Sequence, residues 1–257
     1  MTDMRSNRTE PKSTGASAWG VRWRPAPAAR IRLLCVPPAG TGAAMFRSWA
    51  DALAPNVEVI AVRLPGRETR FAEAPLAHAD ELVPRLVDGL RPWLDAPHAW
   101  FGHSMGALLA FEACRTTMNA GLAVPSRLLV ACQPAPHLLE HRYAGLGPSD
   151  DDLVAYLEQL GGVPPRVREN PAFSAFLPML RADIEILRTY HHRPGPALDL
   201  PITVYGGAAD EGVTAGELAS WSEHSVTGCE VRMLPGGHFF PREDPGRLLA
   251  AIATELT

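Results

Sequence analysis

The stretch Gly102-His103-Ser104-Met105-Gly106 sets a single serine between two glycines, after an aromatic run and before a strongly helical stretch. A serine hydroxyl becomes a competent nucleophile only when a base takes its proton and an acid orients that base. Further along, "GGAADEGV" offers Asp210 and "LPGGHFF" offers His238. The chain order serine, acid, histidine belongs to folds in which the serine sits on a strained turn between a strand and a helix. Glu211 competes with Asp210 for the acid's role, and Glu140 is a more distant competitor. The strand-end rule favours Asp210. The chemistry these residues would perform is acyl transfer to serine followed by release to water.

Such a reaction places negative charge on the attacked oxygen, which needs N–H donors. The helix beginning at Met105 supplies one, the Met105 amide itself. The loop "PPAGTGAAMF" after the first long strand supplies a second, the Ala39 amide; Pro38 has no N–H to offer. Among the other histidines, His103 is expected to pack or hydrogen-bond within the turn, and His191 and His192 to close a helix. His78, His98, His137, His141 and His224 show no ligand spacing. Cysteines 35, 114, 132 and 229 are scattered, without zinc spacing, and read as reduced core residues. No metal or dissociable cofactor is therefore expected.

These residues need elements to carry them. Apolar, often β-branched runs at 31–38, 57–66, 98–102, 126–132, 202–207 and 229–237 alternate with helical patterns at 43–54, 79–95, 105–120, 212–223 and 244–256. Such alternation predicts a mainly parallel sheet with helices on both faces, and with the serine turn it predicts an α/β-hydrolase fold over residues 18–257. Residues 1–17 are polar and read as a disordered tail. No strand is evident between Gln133 and Pro201. That interval reads as a helical lid inserted at about 134–196. One lid helix begins with Ser149 and Asp152 in a capping-box arrangement. A second, at 172–190, carries the stripe Phe173, Phe176, Leu177, Leu180, Ile184 and Leu187. Such a stripe normally faces the core, although Phe173 and Leu177 are candidates for the wall of an acyl chamber.

The chain has 257 residues, 46% of them hydrophobic and 20% charged, with a net charge of −4. That composition is globular and gives no electrostatic support to nucleic-acid binding. Of the 24 basic residues only Lys12 is a lysine. No run resembles a secretion signal or approaches membrane-spanning length, so a cytoplasmic protein is expected. In "RLPGRETR", Arg63, Arg67 and Arg70 lie at the carboxyl end of a strand, on the same edge as the serine. Arg67 is expected to fix its loop with Glu68, which leaves Arg70 as the candidate exposed charge for docking an acidic partner.

Together, "CVPPAGTGAAMFRSWADAL", "VEVIAVRLPGRETRF", "FGHSMGALLAFEA", "ADIEILRTY" and "GGHFF" resemble the stand-alone type II thioesterases of polyketide synthase and nonribosomal peptide synthetase pathways, from about Trp19 to the C-terminus. "LPGRE" and "LRADIEILRTY" are the more specific segments. The resemblance implies Ser104, Asp210 and His238 as the triad and Ala39 and Met105 as oxyanion donors. It implies as substrate the acyl-phosphopantetheine arm of an acyl or peptidyl carrier protein, with removal of stalled or wrongly primed acyl groups as the role. The first loop departs from the family pattern at Pro38 and Thr41. A general carboxylesterase or lipase would use the same residues, and a hydrolase-like binding protein without catalysis is a further alternative.

Overall fold

The computed structural model describes residues 18–147, 149–162 and 171–257; the tail expected at 1–17 lies outside them. Seven strands form one sheet: β1 (Gly20–Val21), β2 (Ile31–Val36), β3 (Val57–Val62), β4 (His98–His103), β5 (Leu128–Ala131), β6 (Ile202–Gly207) and β7 (Cys229–Leu234), in the spatial order β1-β3-β2-β4-β5-β6-β7. All pairings are parallel except that of β1 with β3. β1 is too short to leave an apolar pattern in the sequence. This is the architecture of an α/β-hydrolase sheet.

The strands are apolar on both faces because helices cover both, so β3, β4 and β6 are buried at every position. Leu34, Ile60, Trp100, Val130 and Val204 point to one face, beneath α2 (Ala79–Leu90) and α3 (Met105–Asn119). Leu33, Val59, Phe101, Leu129 and Tyr205 point to the other, beneath α1 (Arg47–Leu53) and a C-terminal helix (Gly246–Leu256). Trp49 of α1 packs its ring 4.8 Å from that of Phe101.

Between β5 and β6 lie α4 (Asp150–Gln159) and α5 (Leu177–Thr189), with one isolated bridge, Leu198 to Ser225. Ser149 and Asp152 form the expected capping box at the start of α4. The single helix expected over 172–190 is instead a 3₁₀ turn, Pro171–Phe176, followed by α5. Pro178 is the reason: its ring and missing N–H fit the first turn of an α-helix and not its interior. The stripe divides accordingly. Leu180, Ile184 and Leu187 are core residues, Phe173 and Leu177 are half-buried against the core, and Phe176 is 51% exposed. Among the described residues, no helix is long and apolar enough to cross a membrane.

Candidate active site

Ser104 joins β4, a central strand, to α3. Its backbone has φ 53° and ψ −122°, a region costly to any residue but glycine, and its N–H donates to the Ala131 carbonyl at 2.8 Å. The flanking glycines are steric necessities. A Cβ on Gly102 would lie 2.2 Å from the Gly106 carbonyl oxygen, and one on Gly106 would lie 2.2 Å from that of Val36. The first turn of α3 is thereby pressed against the loop after β2, which holds Ala39.

In that loop the Gly40 N–H donates to Asp183 Oδ2 at 2.9 Å, while the Thr41 N–H and hydroxyl both donate to the Pro38 carbonyl. Thr41, one of the two departures from the family pattern, closes the turn with its own side chain. Ala39, buried, directly precedes these engaged amides, and Met105 opens α3, where a first-turn N–H has no carbonyl within its own helix.

Asp210 follows β6 and His238 follows β7. His238 Nδ1 lies 2.9 Å from Asp210 Oδ2, with both side chains buried. The Gly212 N–H donates to Asp210 Oδ1 at 2.9 Å, and Arg142 holds the same loop through the Gly212 carbonyl while pairing with Glu217. Burial raises the Asp210 pKa, but the hydrogen bond and charge of His238, the Gly212 amide and the Cys132 thiol outweigh it and bring the carboxyl below its ordinary value. Cys132 is thus more than the core filler expected from sequence. Burial keeps its thiol protonated, able to donate to Asp210. Glu211 has no part in this pair. Among the described residues, no hydrogen bond joins the Ser104 hydroxyl to His238; such bonds commonly tighten only when substrate arrives.

His103 does hydrogen-bond, but to a partner outside its turn. Its Nε2–H donates to the His238 carbonyl at 2.8 Å, with the tautomer assigned from that acceptor, and the two rings stand 5.3 Å apart. Burial first, and then the charge of His238, pushes the His103 pKa down to about 3. The unfolded chain binds this proton near the ordinary histidine value of 6.5, whereas the folded chain refuses it until about pH 3. Stability is therefore full above the unfolded value and falls as pH drops through this window, by up to about 1.4 kcal/mol per unit. His224, lowered to about 4 mainly by burial, acts in the same direction. Thermal melts between pH 7 and 4 are expected to show this loss, with a shallower slope for His103→Gln; an unchanged slope would assign the acid sensitivity elsewhere.

A cavity of about 630 Å³ has Asp210 and His238 in one wall and Tyr143, Leu146, Tyr156 and Leu160 among the others. Phe173 and Leu177 are not among its walls, which corrects the expectation that they bound such a chamber. Both lie half-buried against the core instead, the side that the apolar stripe by itself favours.

The arginine expectation is also corrected. Arg70 is only 8% exposed: it pairs with Glu73 at 2.6 Å, donates to the Arg63 carbonyl and lies 4.1 Å over the Trp19 ring, so it is not a free rim charge. Arg63 pairs with Glu68. Arg67 does fix a loop, but its partner is Asp183 of α5 rather than Glu68. Its Nη2 lies 2.6 Å from Oδ1 and its Nη1 3.0 Å from Oδ2, and it also donates to the Thr41 carbonyl at 2.7 Å. No local spacing could have signalled a contact 116 residues apart.

Comparison with known proteins adds to this geometry. Residues 31–256 match the family model described as a thioesterase domain. The chain is 34% identical to the gramicidin S biosynthesis protein GrsT of Aneurinibacillus migulanus, over 93% of each chain. It is 33% identical to the thioesterase PikA5 of Streptomyces venezuelae, over 90% of this chain and 82% of that one. The solved type II thioesterase BorB, from the borrelidin biosynthetic cluster, is 40% identical and superposes with a TM-score of 0.85, covering 95% of this chain and 100% of its own.

Proposed function

Because the chain belongs to the thioesterase family, we propose that it is a type II thioesterase. It would hydrolyse acyl thioesters from the phosphopantetheine arm of carrier proteins and so clear aberrant or stalled acyl groups in polyketide or nonribosomal peptide biosynthesis. The observation that carries this reading is the buried Asp210–His238 pair, which His103 ties to the strained strand-to-helix turn that presents Ser104. The cytoplasm is the compartment the sequence leads one to expect.

In the proposed mechanism, His238 Nε2 accepts the Ser104 proton as Oγ attacks the thioester carbonyl. Asp210, ionised and fixed by Gly212, holds the Nδ1–H tautomer and stabilises the imidazolium that forms. The Ala39 and Met105 amides receive the oxyanion. Collapse breaks the C–S bond, and the proton on His238 passes to the departing thiolate. A water molecule then gives its proton to His238 and its oxygen to the acyl carbon, and the acid leaves as Ser104 recovers its proton. No metal or cofactor enters these steps. The segment at about 134–196 would serve as the lid over this chemistry, with a surface other than Arg70 receiving the carrier.

The test is release of free acid from an acylated carrier protein, measured beside an oxygen ester of the same acyl group. Faster cleavage of the thioester is expected. A preference for the oxygen ester would favour a carboxylesterase, and failure of a fluorophosphonate probe to label Ser104 would favour a binding protein.

A further inference from the structure

β7 ends the sheet, and no strand lies beyond it among the described residues. The Ile202 N–H donates to the Gly228 carbonyl at 3.0 Å and the Ala208 N–H to the Leu234 carbonyl at 2.7 Å, so the even-numbered residues from Gly228 to Leu234 turn their main-chain groups toward β6. The alternate residues of the strand must face the other way. Cys229, Val231 and Met233 therefore present their N–H and C=O groups outward, and among the described residues no hydrogen bond reaches them. At the opposite end of the sheet β1 spans only two residues, which leaves the six residues of β7 as the long open edge.

Such edges are ordinarily blunted by proline, a bulge or repelling charge. β7 has no proline and no bulge, and its charges do not repel a second copy. Outward from Val231 stand one charge of each sign, Glu230 and Arg232, and then one sulfur-bearing side chain on each side, Cys229 and Met233. A two-fold axis through Val231 sets Val231 against its own copy, Cys229 against Met233, and Glu230 against Arg232. The backbone accepts this register, because the outward-facing residues meet one another as hydrogen-bonded pairs, while 230 and 232 meet as the closer pair without hydrogen bonds. A slip by one residue would oppose outward groups to inward ones. The next permitted registers would set Glu230 against Glu230 or Arg232 against Arg232, and like charges directly opposite destabilise a ladder. Arg232 already holds Glu230 at 2.8 Å and Glu255 at 2.7 Å, so a second Glu230 extends an alternation of sign. Apolar exposure agrees: Met233 is 44% exposed and Val226, just before the strand, 70%.

We propose that β7 is the surface on which a second copy of this chain docks, by antiparallel pairing centred on Val231 that continues the sheet across a two-fold axis. The pairing leaves the chemistry open. β7 runs directly into the loop that holds His238, and antiparallel strands send their carboxyl ends in opposite directions. The two Asp210–His238 pairs of the dimer therefore lie on opposite edges of the joint sheet. The inference goes beyond the thioesterase reading and does not rest on it.

Analytical ultracentrifugation of the full chain from about 1 to 200 µM is expected to show a monomer–dimer equilibrium. Glu230→Arg sets like charges opposite each other on both sides of the axis and should weaken dimerisation about 10- to 100-fold. Val231→Pro removes an outward N–H that β6 does not use, a change edge strands tolerate, and should abolish the dimer. Thermal melts of each variant report whether it is folded. Cross-linking reads the register. Glu230→Cys mixed with Arg232→Cys, both in a Cys229→Ser background, should form a mixed disulfide under mild oxidation, since this pair brings Cα atoms to about 4.5 Å. Either variant alone should not, because its cysteines sit two residues out of register, while Cys35, Cys114 and Cys132 are buried. A wild-type chain that stays monomeric throughout would overturn the proposal. So would a dimer that Glu230→Arg and Val231→Pro leave intact, or self-cross-linking that outpaces the mixed pair. Failure to hydrolyse any thioester would remove the functional reading and leave this one standing.

Discussion

Replacing Ser104 by alanine is expected to lower turnover by roughly 10³- to 10⁶-fold, with His238→Ala alike and the double variant little worse, because the two groups act as one unit. Asp210→Asn should lose roughly 10²- to 10⁴-fold through the wrong imidazole tautomer. Glu211→Gln should lose little, since Glu211 takes no part in the pair. The strained backbone at φ 53° adds a control with the opposite sign for stability. Ser104→Gly should be as inactive as Ser104→Ala and yet more stable, by about 1–3 kcal/mol, because glycine occupies that region without strain. Activity assays and thermal melts on the same samples would check both halves. A folded Ser104→Ala that still turned over normally would end the proposed mechanism, and a less stable Ser104→Gly would show that the turn is not strained.

The second large effect is expected at the Arg67–Asp183 pair, whose side chains are almost wholly buried. Removing one partner leaves the other as an uncompensated buried charge, so Arg67→Met or Asp183→Leu should each cost about 3–5 kcal/mol. The double variant should recover much of that loss, since apolar groups often replace a buried pair at little cost. Hydrolysis should not recover with it. Asp183 Oδ2 accepts the Gly40 N–H and Arg67 donates to the Thr41 carbonyl, so the loop presenting the Ala39 amide loses two of its anchors in the double variant. Denaturation midpoints and kcat measured around the double-mutant cycle separate the two roles. Full recovery of kcat together with stability would reduce the pair to a structural tie.

Sequence and structure agree where the governing physics is local. The turn at Ser104 was readable because only glycine permits the contacts at 102 and 106, and Asp210 and His238 were readable because each directly follows a strand run. The capping box at Ser149 is a pattern spanning four residues. What escaped the sequence depends on distant partners. Arg70 looked exposed because nothing near it in the chain announces Trp19 above its guanidinium. Phe173 and Leu177 were offered as chamber walls because their segment is inserted beside the serine turn, whereas helical periodicity by itself favoured the core against which they lie. His103 was given a partner within its own turn because its acceptor, the His238 carbonyl, lies 135 residues away. The cavity beside Asp210 and His238 brings Tyr143 and Tyr156 into one wall, and their spacing carries no periodic signal.

The carboxylate at 183 also constrains how such a chain can diversify. A chimera that took residues 134–196 from another enzyme would bring its own side chain to this position, and any neutral one would strand the Arg67 guanidinium 5% exposed against loops that had not changed. The interval between β5 and β6 is therefore not an interchangeable cassette. It is inherited together with Arg67, or replaced together with it. Point substitutions at Tyr143 or Tyr156 carry no such obligation, because neither touches the ion pair. Wholesale exchange of the segment is thus closed to this scaffold unless the arginine moves too.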